Sequence, residues 1–533
     1  MVKAILIVAL IMLLCVLFNK LSNKIGIPML LAFILLGMIF GTDGIFKIKF
    51  ENYVFAEQIC TLALIFIMFY GGFGTKWSEA KPIAGKAALL STFGVLFTAA
   101  LVGIFCYFVL QFDFWESFLI GSVISSTDAA SVFSVLRSKK LGLKYHTASM
   151  LEVESGSNDT CSYMLTVIVL SLMEGHVGVR QVAYMLFAQF VYGIVIGVGI
   201  AVGALFILRK FHFGSEGFDM AFVTGIALLS YALPTLVGGN GYLSVYIVGI
   251  VIGNGKIREK QSLVHFFDGV TGLMQMLIFF LLGLLASPSH MPDILIPALM
   301  IAAFLTFVAR PIAVCAILSP AGCKRTQKLL VSFSGLRGAA SIVFAIMATV
   351  EQSHLKHDVF HIIFCIVLFS ILFQGTLIPS VARKLDMIDA DADVLKTFND
   401  YANEVDLQFI KLVITEVHPW RDKAVLDLNL PPDTLLVMVL RGKIPIVPSG
   451  KTVIMQGDIV ILSGFTFVDD SAICLTEQKI PKNSKWKNKT ISEFSPEPGE
   501  LIIMMKRGDH IIIPRGNTVI EENDILVLNA TNV

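Results

Sequence analysis

Residues 150–159 read Met-Leu-Glu-Val-Glu-Ser-Gly-Ser-Asn-Asp, and they lie inside an apolar run extending over 147–173. A run of that length and texture reads as a membrane-crossing helix. Yet it carries Glu152, Glu154 and Asp159. An ionised side chain at the centre of a bilayer costs roughly 2.5–3.5 kcal/mol on insertion scales, so such groups persist where they have a task. Two further charges sit in the same predicament: Asp128 within GSVISSTDAASVF (121–133) and Arg337 within VSFSGLRGAASIVF (331–344). Charges in three separate apolar runs imply a polar pathway through the membrane.

The whole chain agrees with a membrane setting. Of 533 residues 56% are hydrophobic and 15% charged, against about 25% charged in an average soluble protein. About thirteen spans are predicted, near 2–18, 27–42, 55–73, 83–110, 116–136, 147–173, 181–208, 217–236, 240–255, 264–286, 293–318, 327–350 and 358–383. The first run resembles a signal peptide but has no A-x-A cleavage site, so it is read as a helix. Alternate loops hold nineteen Lys and Arg on one side and five on the other. By the positive-inside rule the N-terminus is outside and everything after Arg383 cytoplasmic, which an odd number of spans satisfies. The net charge of +1 points to no nucleic-acid partner. Eight scattered cysteines without a CxxC pair argue against a disulfide framework or a zinc site.

Beyond Asp386 the texture changes to short β-branched runs separated by Pro, Asn and acidic residues. A linker over 386–406 is expected, then two modules at 407–465 and 473–533. The modules are copies of one unit. A shift of 66 aligns Trp420 with Trp486, Lys423 with Lys489, Arg441 with Arg507, Pro448 with Pro514, and Asp458 with Asp524, without a gap. The expected fold is a polytopic all-α membrane domain (1–385) followed by a cytoplasmic α/β domain of two tandem β-rich repeats.

Within the membrane domain, Ser125-Ser-Thr127-Asp128 and Gly335-Leu-Arg337-Gly338 place small and hydroxyl residues where a helix would otherwise continue. Helices unwound at mid-membrane expose carbonyls and half-helix ends that coordinate ions. Two broken spans seven helices apart hint at inverted repeats of six helices. Helical spacing puts Ser155 one turn before Asp159 on the same side. A carboxylate there binds either a cation or a proton, and one group that holds one but not both suffices for exchange. Asp128 is compatible with the cation site and with capping the helix after the break. Glu154 and Arg337 are candidates for a buried ion pair, and Arg310 for compensating Glu152. His354, His357 and His361 have helical spacing but read as a solvated outward face rather than a metal site.

TDAA (127–130), ESGSND (154–159) and GLRGAAS (335–341) resemble the monovalent cation:proton antiporters of the NhaP-like branch, over roughly residues 1–385. The resemblance implies a homodimer with a scaffold and a moving six-helix core. It implies a cation and proton site of Asp159, Asp128, Ser155 and the Thr127 carbonyl, a stabilising Glu154–Arg337 pair, and one-for-one exchange because Asn158 precedes Asp159. Relatives often carry an acid within F-[DE]-G-G on the third span, where this chain has Tyr70. The tail resembles paired TrkA-C modules, which implies a small-molecule regulator such as cyclic di-AMP. No glycine-rich nucleotide fingerprint occurs, so no cofactor is expected. The expected function is secondary active exchange of K+ or Na+ for H+, with no enzymatic activity. A ligand-gated cation channel is the alternative, but no TVGYG-like filter occurs. An intramembrane aspartyl protease lacks its GxGD context.

Overall fold

The computed structural model describes residues 6, 9–17, 29–138, 141–175, 178–211, 216–257, 260–351, 355–389, 407–416, 418–431, 434–442, 444–465, 474–481, 484, 486–493, 500–507, 510–512 and 514–530. They form two units, Met1–Asn403 and Glu404–Val533. Of the expected first span only Leu6 and residues 9–17 are described, and these are helical. His354 and most of the expected linker, residues 390–406, lie outside the described residues.

The first unit is helical because its apolar runs leave the backbone no other way to satisfy its polar groups in hydrocarbon. Among the described residues seven helices are long and apolar enough to cross a membrane, including Tyr53–Gly74, Val179–Lys210 and Lys260–Leu285. The site is built from α1 (Met29–Phe40), α2 (Tyr53–Gly74), α3 (Phe114–Ile124), α4 (Ala129–Ser138), α5 (Thr147–Met173), α6 (Gly241–Gly253), α7 (Lys260–Leu285), α8 (Arg325–Phe333), α9 (Ala339–Glu351) and α10 (Val359–Phe369). The two predicted breaks are present as the non-helical residues 126–128 between α3 and α4, and 335–338 between α8 and α9.

Close backbone approach sets the scaffold. Gly37 of α1 faces Gly283 of α7, so a Cβ on either residue would run into the other helix's backbone. Glycine here allows van der Waals contact between main chains, the usual means of holding helices together in lipid. Asn52 caps α2 by accepting from the Phe55 amide at 3.0 Å. Asn240 caps α6 from Leu243 N–H and donates to the Thr160 carbonyl at 2.9 Å, tying α6 to α5. Residues 386–389, which composition assigned to the linker, belong to this unit. Met387 is fully buried, and Ile388–Asp389 pairs antiparallel with Gly142–Leu143.

The second unit corrects the α/β expectation: among the described residues it contains strands and single 3-10 turns, and no α-helix. In the first module β1 (Leu407–Val413), β2 (Leu435–Arg441), β3 (Ile444–Ile446) and β4 (Ile459–Phe465) form an antiparallel sheet in the order β1-β4-β2-β3. In the second, β5 (Cys474–Lys479), β6 (Glu500–Arg507), β7 (His510–Ile512) and β8 (Ile525–Ala530) repeat it as β5-β8-β6-β7. The repeat extends to detail. Asp422 and its counterpart Asn488 share the left-handed conformation, as do Gly457 and Asn523. In both modules a buried aspartate just before one strand is gripped by an arginine at the end of the neighbouring strand. Arg441 donates through Nε and Nη2 to Asp458 at 2.9 and 2.8 Å, and Arg507 does the same to Asp524 at the same distances.

The Arg441 guanidinium holds the Asp458 carboxyl below the ordinary carboxylate range, against the opposing effect of burial. A folded-state value below the unfolded one means that folding favours the ionised form. That stability is complete above the unfolded value of about 3.9 and is lost as pH falls through the folded value. The full-length protein should therefore resist proteolysis of its tail at neutral pH and lose that resistance below about pH 4. Asp458→Asn should flatten the acid dependence arising from this group and make the tail more susceptible at pH 7, as followed by limited digestion across pH.

Candidate functional site

Two chain breaks in an apolar medium leave carbonyls and amides without helical partners, and such groups must be satisfied locally. Here the breaks satisfy each other. The Asp128 amide donates to the Leu336 carbonyl at 2.8 Å, joining the two non-helical segments directly. Arg337 Nη1 donates to the Ser126 carbonyl at 2.5 Å, and the Arg337 amide donates to Ser370 Oγ at 3.0 Å. Ser370 donates onward to Gln374 Oε1 at 2.6 Å, and Gln374 donates to the Phe333 carbonyl at 3.2 Å. Ser370 and Gln374 reach the break from a π-helical stretch, Ser370–Gly375, that continues α10; wider turns of this kind recur at functional sites.

From the other side α5 supplies the remaining partners. Ser155 Oγ accepts from the Ala129 amide at 2.9 Å and donates to the Thr127 carbonyl at 2.8 Å. Asn158 Nδ2 donates to Thr127 Oγ1 at 2.5 Å, while its Oδ1 accepts from the Thr127 amide at 3.3 Å. Ser162 donates to the Ser122 carbonyl at 2.6 Å. Asp128 caps α4: its carboxylate accepts from Ser131 N–H at 3.2 Å and from Ser131 Oγ at 2.5 Å. Gly338 is obligatory beside it, because a Cβ there would overlap the Asp128 carboxyl group.

The predicted site residues therefore converge. Asp159, Asp128 and Ser155 line one cavity of about 500 Å³, together with Glu152, Tyr70 and Asp268. Asp159, Asp128 and Thr127 also line a narrower recess of about 30 Å³ against Gly338. Both carboxylates are half-buried. Ser126 Oγ donates to Asp159 Oδ1, a partner that the sequence reading passed over in favour of its neighbours. Arrayed oxygens around a carboxylate suit a hard monovalent cation or a proton.

One expectation is corrected. Glu154 contacts Arg310, not Arg337: Arg310 Nη2 lies 2.5 Å from Glu154 Oε1, with both side chains at most 3% exposed. Arg337 is also buried, but its direct bond is to the Ser126 carbonyl. Arg310 reaches Glu154 alongside Gly335, which leaves room for its guanidinium. The reading of the histidines as a solvated face is corrected too. His361 is 4% exposed, pairs with Asp358 at 2.6 Å and accepts from the Ser287 amide at 3.0 Å. His357 lies 2.6 Å from Glu116 and stacks on Phe112. Among the described residues no cluster of three or more His, Cys, Asp or Glu could hold a metal ion.

The family model described as "Sodium/hydrogen exchanger, transmembrane" matches residues 7–384, and the TrkA-C domain model matches 409–464 and 475–532. The chain is 32% identical over 441 residues to a K(+)/H(+) antiporter NhaP of Alkalimonas amylolytica, covering 82% of this chain and 77% of that protein. It is 31% identical over 457 residues to K(+)/H(+) antiporter NhaP2 of Shewanella sp. strain ANA-3, covering 84% and 79%. In fold it is similar to the sodium proton antiporter MjNhaP1 of Methanocaldococcus jannaschii at pH 8. The TM-score is 0.63 at 24% identity, covering 72% of this chain and 99% of that one.

Arg310→Ala strands the Glu154 carboxylate in the interior, and breaking a buried pair from one side costs about 3–5 kcal/mol. The variant should lose its folded population in detergent at a markedly lower temperature than the wild type. Replacing both partners (Arg310→Met with Glu154→Leu) should recover most of the loss. Fluorescence-detected size-exclusion after heating reads both.

Proposed function

The chain belongs to the sodium/hydrogen exchanger family, and from that premise we propose that it exchanges a cytoplasmic monovalent cation for a proton by alternating access about Asp159. The carrying observation is that Asp159 shares one cavity with Asp128, against two crossed helix breaks that supply its surroundings. The chain is a multi-pass membrane protein. The proposed topology places the N-terminus outside and the tail in the cytoplasm, with about thirteen spans arranged as inverted six-helix repeats. The working unit is a homodimer.

The energetics follow from charge. An unoccupied, ionised Asp159 at mid-membrane is expensive. Either occupant discharges it: a proton converts it to the neutral acid, a bound cation to a neutral pair. Both loaded states therefore cross the membrane at similar cost, and the empty ionised state does not. That coupling gives exchange without a separate gate. Asn158, already bonded to Thr127, adds no further charge. Asp128 is occupied in capping α4 through Ser131. The cation and the proton then trade one for one, which supports electroneutral exchange. Ser155 and the Thr127 carbonyl supply neutral oxygens from the same scaffold.

Relatives at 31–32% identity are named K(+)/H(+) antiporters, so K+ is the assigned cation and Na+ the competitor to be tested. The TrkA-C modules support regulation by a small cytoplasmic ligand, with cyclic di-AMP the first to try.

In proteoliposomes with an imposed pH gradient, added K+ should dissipate the gradient, and Na+ should do so less well. Asp159→Asn should abolish dissipation by either ion. Residual exchange at the wild-type rate in that variant, or single-channel currents from the purified protein, would sink the proposal.

A further inference from the structure

The cavity holding Asp159 and Asp128 continues along a wall that the exchange reading leaves unused. Asp268, Thr271 and Gln275 all line it from α7. Their spacings of three and four residues put them on one face of the helix. Gln275 additionally lines the narrow recess containing both aspartates. At 1.5 Å per residue, Asp268 lies about 10 Å along the helix from Gln275. Asp268 is exposed, whereas Thr271 is 8% exposed, so the face runs from an open mouth inward.

Two observations mark the outer end of this face as built for a ligand. First, Tyr70 Oη donates to Asp268 Oδ1 at 3.1 Å across the gap between α2 and α7. The bond engages one carboxylate oxygen and fixes the group at the cavity wall. α7 itself is held by the Gly37–Gly283 contact with α1. Second, the Thr271 hydroxyl is buried with no hydrogen-bond partner among the described residues. Threonines elsewhere in these helices turn back on their own backbone: Thr98 donates to Gly94 O at 2.7 Å, Thr166 to Ser162 O at 2.8 Å, and Thr224 to Met220 O at 2.8 Å. Thr271 makes no such bond. A buried hydroxyl without a partner is unfavourable, and here it lines the same cavity one turn from the Asp268 carboxylate.

Carboxylate, phenol, hydroxyl and amide oxygens are hard donors of the kind that replace part of an alkali ion's hydration shell. We propose that Asp268, with Tyr70 and Thr271, forms an outer binding station for a partly hydrated monovalent cation, which passes along Gln275 to Asp159. The proposal rests on the exchange reading and adds a second binding site to it. An anionic station at the mouth raises the local cation concentration and lowers the cation level needed for half-maximal exchange. The proton needs no such station, since water delivers it. Asp268 therefore acts on the cation side of the exchange.

The test measures K+-dependent dissipation of a fixed pH gradient in proteoliposomes of the full-length protein. Asp268→Asn should raise the apparent KM for K+ about tenfold, a loss of about 1.4 kcal/mol in binding, with a much smaller change in maximal rate. Asp268→Glu should recover most of the affinity, and Thr271→Val should shift KM in the same direction as Asp268→Asn. An unchanged KM in Asp268→Asn, or a fall in maximal rate alone, would overturn the station. Should Asp268→Asn fail to fold, an unchanged KM in Thr271→Val would overturn it equally. Asp159→Asn separates the two ideas: exchange persisting in that variant removes the reading that exchange runs through Asp159, whatever Asp268 does.

Discussion

A helix that stops halfway through a membrane needs an answer for every amide and carbonyl it uncovers, and in this protein the answer is another interrupted helix. The bond from the Asp128 amide to the Leu336 carbonyl joins the two breaks. Around it, Arg337 covers the Ser126 carbonyl, Gln374 covers that of Phe333, and Ser155 covers that of Thr127. In lipid each unsatisfied group would cost several kcal/mol. The network is therefore a condition for having polar backbone at this depth at all, and the site exists because that condition is met.

The same network gives several residues two roles. Ser155 and Asn158 hold the broken backbone between α3 and α4 in position, and Ser155 also lines the cavity that contains Asp159. Asp128 caps the start of α4 and also lines the cavity. The two arginines divide the work differently from the simplest pairing. Arg310 neutralises Glu154, and Arg337 is engaged with a carbonyl at the crossing. A guanidinium carries five donors in a rigid fork, so it can bridge backbone and charge where a lysine would offer a single point. Glu154 is paired and lies outside the cavity lining, whereas Asp159 and Asp128 line both the cavity, alongside Glu152 and Asp268, and the recess beyond it.

The tail follows a different physical logic. Among the described residues each small sheet buries few apolar side chains: Ile414, Leu436, Val439, Ile454, Val460 and Leu462 are prominent in the first, and Ile480, Met505, Ile520 and Leu526 in the second. A core of that size gains definition from a specific polar tie, and the Arg–Asp grip between strand end and turn provides it in both copies. Duplication preserved the grip together with the left-handed turn residues that permit it.

The sequence alone determined the membrane setting, the positions of the two breaks, the duplicated tail and the candidacy of Asp159 and Asp128. Each of these depends on local composition, on spacing along one helix, or on comparison of one segment with another. Only the tertiary structure decided that Glu154 meets Arg310, that Ser126 meets Asp159, that His361 is buried, and that Asp268 reaches the cavity through Tyr70. Those pairings join residues from 33 to 198 positions apart, and no periodicity in the chain encodes which helix faces which. Helix packing in lipid turns on small residues and shape rather than on a strong hydrophobic pattern. Partners across a membrane bundle are therefore set by the assembled fold.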